Sequence, residues 1–259
     1  EAGRTAKGTA IVNLLQLDGG EKVTTVIPVD EDQGGNLVMA TKNGLIKKTA
    51  LSEFRNLRAS GLIAVTLRED DELIGVTLTD GSRELLLGTR QGMSIRFNED
   101  DVRTMGRTAM GVRSIDLAPG DEVVSMSAVQ EDCEVLTISE NGYGKRTSER
   151  EYRLQSRGGK GIKAMQLTDK TGPLSALMLV REDEDVMLIS DDGTIIRMAV
   201  ADISTQSRST QGVRLMRLAD SSRVVAVTTT EKIEETDEEA SADASAALPE
   251  ADPNDPDTA

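Results

Sequence analysis

A basic residue recurs at a fixed place after four turn-forming glycines of this 259-residue chain. The glycines end the tripeptides KNG, RQG, ENG and DDG, which are typical hairpin turns between apolar runs. The fourth residue after each glycine forms a set that we call the strand cations: Lys48, Arg96, Arg146 and Arg197. Lys and Arg make up only 30 of the 259 residues, so four matches at four positions are improbable by chance. Regularly spaced Lys and Arg can neutralise phosphates, and the set is a candidate phosphate-binding series.

Other cations recur in phase with the strand cations. Lys47 and Lys145 precede two of them directly, and one basic position lies 10 or 11 residues after each strand cation. The residues at this later position, which we call the loop arginines, are Arg58, Arg107, Arg157 and Arg208, and Arg4 holds the same place in the opening stretch. Further cations lie between the two series or just after them: Arg55, Arg103, Arg153, Arg113, Lys163 and Arg214.

Glycine-rich turns add backbone N–H groups that can approach phosphate closely. The stretch QSRGGKG, residues 155–161, combines such glycines with two cations. The predicted phosphate-binding set is therefore Arg4, Lys47, Lys48, Arg55, Arg58, Arg96, Arg103, Arg107, Arg113, Lys145, Arg146, Arg153, Arg157, Gly158, Gly159, Lys160, Arg197 and Arg208.

The elements that carry these residues repeat with a period of about 50. The closing glycines Gly61, Gly111, Gly161 and Gly212 are 50, 50 and 51 residues apart. An acidic residue followed by an apolar one also recurs after each turn, at positions 53, 101, 151 and 202, and we expect this acid to make a structural ion pair or turn bond. Three marks in register at one period indicate internal repeats.

Each repeat has the pattern of four short strands. In one copy these are EVVSMSAV, EVLTISE, YGKRTS and IKAMQL, and no long helical periodicity competes with them. A period near 50 with four strands per unit predicts an all-β, propeller-like ring of blades. Equivalent positions fall at equivalent radii in such a ring, so one cation per blade becomes a series of charges that suits duplex DNA running around the outside.

The charge is unevenly distributed along the chain. The net charge is −15, but from residue 231 onward there are eleven acidic residues and one Lys, which leaves 34 acidic and 29 basic residues before that point. We predict a folded domain over residues 1–230 and a disordered acidic tail over 231–259. Whether the tail competes with DNA for the basic rim or only adds solubility stays open.

Several classes of site find no support in the sequence. The chain has no His, which excludes His-based catalysis and His-ligated metal sites, and we predict no catalytic residues and no metal site. QSRGGKG lacks the GxxxxGK[ST] frame of a P-loop. Cys133 is the only cysteine and lies in an apolar run, so we expect a buried residue and a reducing compartment. No apolar stretch approaches the roughly 20 residues of a membrane helix.

The quoted repeats resemble the C-terminal domain family of DNA gyrase A, part of a bacterial type IIA topoisomerase. The matching stretches include VMATKNGLIKKTALSEFRNLR, TAMGVRSIDLAPGDEVVS and TISENGYGKRTSEREY, and the likeness covers residues 1 to about 230. The resemblance implies a β-pinwheel, a ring whose blades exchange a strand with their neighbours. It also implies a domain that wraps duplex DNA around its basic rim, in a positive sense, and so supports ATP-dependent negative supercoiling.

The same resemblance implies the partners and the setting. They are the N-terminal part of gyrase A and the gyrase B protein in an A2B2 heterotetramer, in the cytoplasm and associated with the nucleoid. ATP and Mg would act elsewhere in that complex, which leaves no cofactor in this segment, and the DNA-cleaving tyrosine belongs to the N-terminal part.

QSRGGKG is similar to a glycine-rich box of the family that reads Gln-Arg-Arg-Gly-Gly-Lys-Gly, and it differs at Ser156. It occupies the place that GRTAMG and SRSTQG hold in other repeats, so we interpret it as a box-like copy of the ordinary turn. The chain starts without Met inside a repeat, and we expect a fragment with an incomplete first blade whose own box lies upstream. The alternatives are the related C-terminal domain of topoisomerase IV and a non-catalytic protein-interaction scaffold.

Overall fold

The computed structural model describes residues 21, 23–29, 34–55, 61–219 and 221–232. Over these residues the chain forms fifteen strands and four short 3₁₀ helices, which confirms the predicted all-β class. Arg4, Arg58 and all of the predicted acidic tail beyond residue 232 lie outside the described residues.

The strands form four antiparallel sheets, which are the blades. The first blade has the order β3-β1-β2-β6, with β1 Asn36–Thr41, β2 Leu45–Ala50, β3 Leu73–Thr79 and β6 Val112–Arg113. The second has the order β10-β5-β4-β7, with β4 Glu84–Thr89, β5 Met93–Asn98, β7 Val123–Ala128 and β10 Ile162–Lys163. The third has the order β11-β8-β9-β14, with β8 Glu134–Ser139, β9 Tyr143–Ser148, β11 Leu174–Val180 and β14 Val213–Arg214. In the described chain the fourth has three strands in the order β13-β12-β15, with β12 Glu184–Ser190, β13 Ile195–Ala199 and β15 Val224–Glu231.

A tight hairpin opens each blade, as the sequence predicts. The turn glycines Gly44, Gly92, Gly142 and Gly193 all have a positive φ, between 76° and 85°, a conformation that glycine adopts without steric cost. Each second hairpin strand runs into a 3₁₀ helix, and the four helices are Leu51–Phe54, Glu99–Asp101, Glu149–Glu151 and Val200–Asp202. The positions that follow the recurrent acidic residues, Val102, Tyr152 and Ile203, are buried at the ends of these helices.

Each of the first three blades receives its outer strand from the following repeat. The short strand β6 pairs with β2, with Leu45 opposite Arg113 and Ile46 opposite Val112. In the same way β10 pairs with β5, and β14 pairs with β9. This strand exchange between neighbouring blades confirms the pinwheel architecture that the resemblance implies.

The closing glycines mark the points where the exchanged chain meets the preceding blade. A Cβ atom on Gly161 would lie 2.2 Å from the carbonyl oxygen of Ser94, and one on Gly212 would lie 2.5 Å from that of Gly144. No side chain fits at such distances, because the hairpin backbone occupies the space. These glycines are about 50 residues apart because each of them lies at a strand-exchange point, and one such point occurs in each repeat.

The blades pack side by side around their innermost strands. Strand β7 contacts both β3 and β11, and β11 contacts β15, which places the short strands β6, β10 and β14 at the outer edge. The hydrophobic clusters join adjacent blades; one of them combines Val38 and Ile46 with Leu85, Leu87 and Phe97. Burial of these apolar faces between blades stabilises the ring. No helix in the described part of the chain could span a membrane.

Candidate nucleic-acid interface

The strand cations lie on the second hairpin strands, but their charged groups point to the next blade. Arg146 is only 7% exposed. Its Nε donates to the carbonyl oxygen of Ile203 at 2.7 Å, and its terminal nitrogens donate to Ala201 O at 3.2 Å and to Glu134 Oε2 at 2.7 Å. The guanidinium thus satisfies the carbonyls at the end of a 3₁₀ helix that belongs to the following repeat.

The other strand cations follow the same plan. Arg96 donates to Glu149 O at 2.8 Å and Tyr152 O at 3.3 Å. Lys48 is buried, and its Nζ donates to Glu99 O at 3.0 Å. Arg197 is exposed and donates to the carbonyl of Glu231 at 2.8 Å. The structure therefore gives the described strand cations main-chain partners, three of them in the following repeat.

A carboxylate at the start of the first hairpin strand completes three of these contacts. Arg96 meets Glu84 at 2.5 Å, and Arg197 meets Asp185 at 2.7 Å, as Arg146 meets Glu134. The first blade has Asn36 at this position, and Lys48 instead lies 3.7 Å from carboxylate oxygens of Glu99 and Asp100. Each strand cation thus has at least one carboxylate partner within the chain.

Lys47 and Lys145 are buried beneath the loops that lead to the outer strands. The Nζ of Lys145 donates to the carbonyls of Ser207 and Arg208 at 2.6 and 2.5 Å, and that of Lys47 donates to Ala64 O at 2.5 Å and to Arg107 O. The pKa of each lysine is lowered to about 8, mainly by burial. The charge of Arg107 adds to the lowering at Lys47, while at Lys145 Glu151 opposes it and Arg208 adds to it. The two lysines hold the loop backbone in place through these hydrogen bonds to its carbonyls.

The three loop arginines that the structure describes, Arg107, Arg157 and Arg208, are half-buried, and the last two join neighbouring outer strands. Arg157 donates from Nε to Asp101 O at 3.0 Å and from a terminal nitrogen to the carbonyl of Arg113, which lies on β6. Arg208 donates in the same way to the carbonyl of Lys163 on β10. The backbone N–H of Arg208 donates to Glu151 at 2.8 Å and that of Arg157 donates to Asp101 at 3.4 Å, so the predicted structural bond is seen for two of the four recurrent acids. Arg107 is half-buried, and its carbonyl accepts a bond from Lys47.

One group of exposed cations lies at the outer edge of the ring, on the outer strands and the loops just before them. From the predicted set these are Arg103, Arg113, Arg153 and Lys160, and Arg55 is exposed after the first 3₁₀ helix. Lys163 and Arg214 are exposed on β10 and β14 at the position that Arg113 holds on β6. The side chain of Arg113 is 66% exposed, 3.2 Å from Asp116.

The two glycines of the predicted set have mainly structural partners. The N–H of Gly158 donates to Ser114 O at 2.7 Å, and the carbonyl of Gly159 accepts from Asp116 N at 2.9 Å. The loop 155–161 is thus tied to the segment that follows β6, and it presents the side chain of Lys160 to solvent.

The predicted phosphate-binding set omits Lys163 and Arg214, although their signal is present in the sequence. They lie two residues after a closing glycine, as Arg113 does. Lys170 and Arg217, two further exposed cations, occupy no recurring basic position, so the repeat gives no sign of them.

Three further residues have structural roles. Tyr152 is buried between blades, and burial raises the pKa of its hydroxyl. Cys133 is buried just before β8, as expected, and desolvation raises the pKa of its thiol. Tyr143 accepts hydrogen bonds from Arg214 through its hydroxyl. Within the described ranges, no group of three or more Cys, Asp or Glu could hold a metal ion.

Two solved structures share the strand-exchanging fold. The C-terminal domain of DNA topoisomerase IV superposes with a TM-score of 0.82 at 27% identity, over 93% of this chain and 76% of that one. The DNA gyrase A C-terminal domain gives a TM-score of 0.79 at 25% identity, over 86% of this chain and 75% of that one. The fold therefore defines a β-pinwheel domain of the kind seen in DNA topoisomerase IV and DNA gyrase A.

The family of the chain is shown by a comparison of its sequence repeats with a known protein family. The family described as DNA gyrase C-terminal domain, beta-propeller, matches residues 1–30, 35–80, 83–130, 134–181 and 184–231. The chain belongs to this family, and the segments follow the repeats seen in the sequence. The DNA gyrase A protein of Halalkalibacterium halodurans is 61% identical over 228 residues, which are 88% of this chain and 27% of the relative. The chain thus spans about a quarter of the length of the curated relatives it matches.

Proposed function

We propose that this chain binds duplex DNA along the outer edge of its ring and, as part of a gyrase A protein, supports ATP-dependent negative supercoiling. One observation carries the proposal: each of the three exchanged outer strands presents an exposed cation at the same position, at Arg113, Lys163 and Arg214. Exposed cations that neutralise phosphates release counterions from DNA, which gives affinity that depends little on base sequence.

The preceding loops widen this basic edge. Arg103 and Arg153 are exposed at equivalent positions before β6 and β10, and Lys160 is exposed just before β10. Arg157 and Arg208 tie their loops to the neighbouring outer strands β6 and β10, so the exposed cations there are held at defined positions along the edge. A duplex that follows the edge would meet phosphate contacts at the spacing of the blades, which favours wrapping over a single local contact.

The buried cations have an indirect role in this proposal. Lys47, Lys48, Lys145 and Arg146 use their donors on main-chain carbonyls and are 7% exposed or less. A phosphate could reach them only after these bonds were broken and the blades opened. We therefore propose that they hold blades and loops in place, and that the exposed set supplies the contacts with DNA.

The remaining features of the proposed complex come from the gyrase relatives. Matches to DNA gyrase A proteins over about a quarter of their length support an assembly with the rest of that protein and with gyrase B. We propose that ATP and Mg act in those other parts, without a cofactor in this segment, and that the complex works on nucleoid DNA in the cytoplasm. The wrapping sense proposed is positive, as the resemblance implies.

The test compares two charge-matched triple variants. Arg103→Gln, Arg153→Gln and Lys163→Gln remove three cations from the outer edge, while Arg68→Gln, Arg83→Gln and Arg181→Gln remove three exposed cations from other loops. The affinity for a labelled duplex is measured against salt concentration. We expect the slope of log K against log salt to fall by roughly three for the edge variant and to change little for the control, since each phosphate contact contributes about 0.9.

Equal slopes for both triple variants would overturn the proposed surface. If the unaltered chain bound the duplex without salt dependence, or did not bind it at all, the result would favour the protein-interaction scaffold instead. Wrapping is tested separately: relaxed circular DNA is titrated with the protein and religated, and positive writhe in the products is expected. Binding without any shift in the topoisomers would contradict the wrapping proposal and leave DNA binding standing.

A further inference from the structure

A basic depression lies beside the hairpin of the third blade. Its walls come from three places: the turn around Asn141 and Tyr143, the loop that contains Lys170, and residues within 214–219 and 221–223, a stretch that begins at the last residue of the outer strand β14. Its volume is about 650 Å³. The depression is thus built by two successive repeats around a single hairpin turn.

The charge of its lining is strongly positive. Among the described residues, four cations line it, Lys170, Arg214, Arg217 and Arg223, against the single carboxylate of Glu140. Glu140 is neutralised from outside the depression by Arg90 at 2.7 Å. Arg223 lies 3.5 Å from Asp191. Lys170, Arg214 and Arg217 have no carboxylate within ion-pair distance among the residues that the structure describes.

Tyr143 holds two of these cations close together. Its hydroxyl accepts from the Nη2 and Nε atoms of Arg214 at 2.8 and 3.2 Å. The Nζ of Lys170 lies 5.3 Å from the centroid of the ring, and the guanidinium carbon of Arg214 lies 5.4 Å from it. An aromatic ring attracts cations at this range. The ring therefore gathers positive charges that repel each other, and a bound anion would relieve that repulsion.

The second blade also has a depression beside its hairpin, but the lining of that depression is different. The depression beside the hairpin of the second blade has a volume of about 460 Å³ and is lined by Asp116, Asp121 and Lys160. Met93 takes the place after the turn glycine that Tyr143 has in the third blade. The second depression thus carries a net negative charge and lacks the aromatic ring.

We propose that the depression around Tyr143 binds phosphate groups, and that these belong to the DNA duplex that follows the outer edge. The inference rests on the proposed function and extends it, because Arg214 stands on the outer strand β14 and also lines the depression. The third blade would then hold the DNA at two places, on its outer strand and beside its hairpin turn. Lys170 and Arg217 would be the phosphate ligands of the second place.

The first arm of the test measures DNA binding. Lys170→Gln with Arg217→Gln is compared with Arg83→Gln and Arg181→Gln, which remove two exposed cations elsewhere. We expect the salt slope for a labelled duplex to fall by roughly two in the first pair and to stay unchanged in the second. Tyr143→Phe keeps the ring and removes the acceptor for Arg214, so a smaller loss of affinity is expected. Unchanged thermal unfolding shows that each variant folds.

The second arm uses inorganic phosphate and tripolyphosphate and follows the NMR signals of the Tyr143 ring. Saturable shifts that disappear in the Lys170→Gln, Arg217→Gln variant support a phosphate site. If these shifts appear while DNA affinity is the same in both double variants, the phosphate comes from a free ligand, and the assignment to DNA is overturned. If neither phosphate nor DNA responds while the unaltered chain still binds DNA, the depression is no phosphate site, and the edge surface stands. Failure of the unaltered chain to bind DNA would overturn the proposed function, and the phosphate arm alone would then decide on the depression.

Discussion

The second hairpin strands and the outer strands each carry one cation per repeat, yet the molecule uses the two series in opposite ways. Arg96 and Arg146 on the hairpin strands bond the 3₁₀ helices of the next repeat, and their charges are balanced by Glu84 and Glu134. Arg113 and Lys163 on the outer strands face solvent. A cation that recurs in every repeat therefore has a role that is common to all blades. That role can be a bond to the neighbouring blade as well as a contact with a ligand.

Arg146 allows the largest test of this difference. Arg146→Ala removes donors to Ile203 and Ala201 and takes the ion-pair partner from the carboxylate of Glu134. Loss of one member of a buried, hydrogen-bonded charge pair costs about 3–5 kcal/mol, and we expect about 3 kcal/mol here because Glu134 is partly exposed. The measurement is the free energy of unfolding in urea.

The matched control is Arg150→Ala, four residues further on, whose side chain is 89% exposed. It should change the stability by less than about 0.5 kcal/mol. If Arg146→Ala were equally harmless but abolished DNA binding, the strand cations would be ligands after all, and the distinction between the two series would fail.

Gly161 tests whether the outer strand must approach the hairpin as closely as the structure shows. It has φ +72°, and an added Cβ would meet the carbonyl of Ser94 at 2.2 Å. We expect Gly161→Ala to cost about 2 kcal/mol or more, from the left-handed backbone and the clash together. Since β10 begins at the next residue, the outer strand should loosen as well, and hydrogen exchange of its amides should speed up.

Gly159→Ala is the control within the same loop. Its nearest neighbours would be 3.7 Å or more from the new Cβ, and its φ lies outside the left-handed range. We expect little change in stability and intact protection of β10. An equal cost at both glycines would show that the loop as a whole, and not the crossing at Gly161, sets the position of the outer strand.

The sequence was sufficient for the period, the hairpins and the closing glycines, because each depends on a local turn that glycine marks. The sequence did not show in which direction the side chain of a strand cation points. Lys48 and Arg96 meet groups about 50 residues away, and only the strand exchange brings those groups together. Lys170 and Arg217 were not predicted because they do not recur: a single blade combines them with Tyr143. Periodicity reports what all repeats share, and a feature of one repeat is invisible to it.

The buried lysines predict a pH effect of known sign. In the folded chain the pKa of Lys145 is lowered to about 8, below its ordinary value of 10.5, mainly by burial. Between these two values the unfolded chain binds more protons than the folded chain. The free energy of unfolding contributed by this group therefore rises as the pH increases from about 8, and it is lowest below pH 8.

The measurement compares the unaltered chain with Lys145→Met between about pH 7 and pH 9.5, by urea unfolding. The unaltered chain should gain stability relative to the variant as the pH rises, and the other titrating groups cancel in the difference. Lys160→Met, which replaces an exposed lysine, should run parallel to the unaltered chain. A relative loss of stability with rising pH would mean that the ammonium charge itself holds the loop at Ser207 and Arg208.

The smallest expected effect belongs to a single outer-strand cation, and it completes the comparison from the other side. Lys163 is exposed on β10, where its Nζ donates to Gln166 at 2.8 Å, and its backbone carbonyl, which a substitution leaves in place, accepts from Arg208. Lys163→Gln should leave the stability unchanged, weaken DNA binding about threefold at moderate salt and lower the salt slope by about one. Gln166→Ala removes the neutral partner of Lys163 and serves as the control, with no change of slope expected. If Lys163→Gln lowered the stability without any change in the salt slope, the cation on the outer strand would have the same structural role as the cation on the hairpin strand. The series of one cation per blade would then not indicate a surface for DNA.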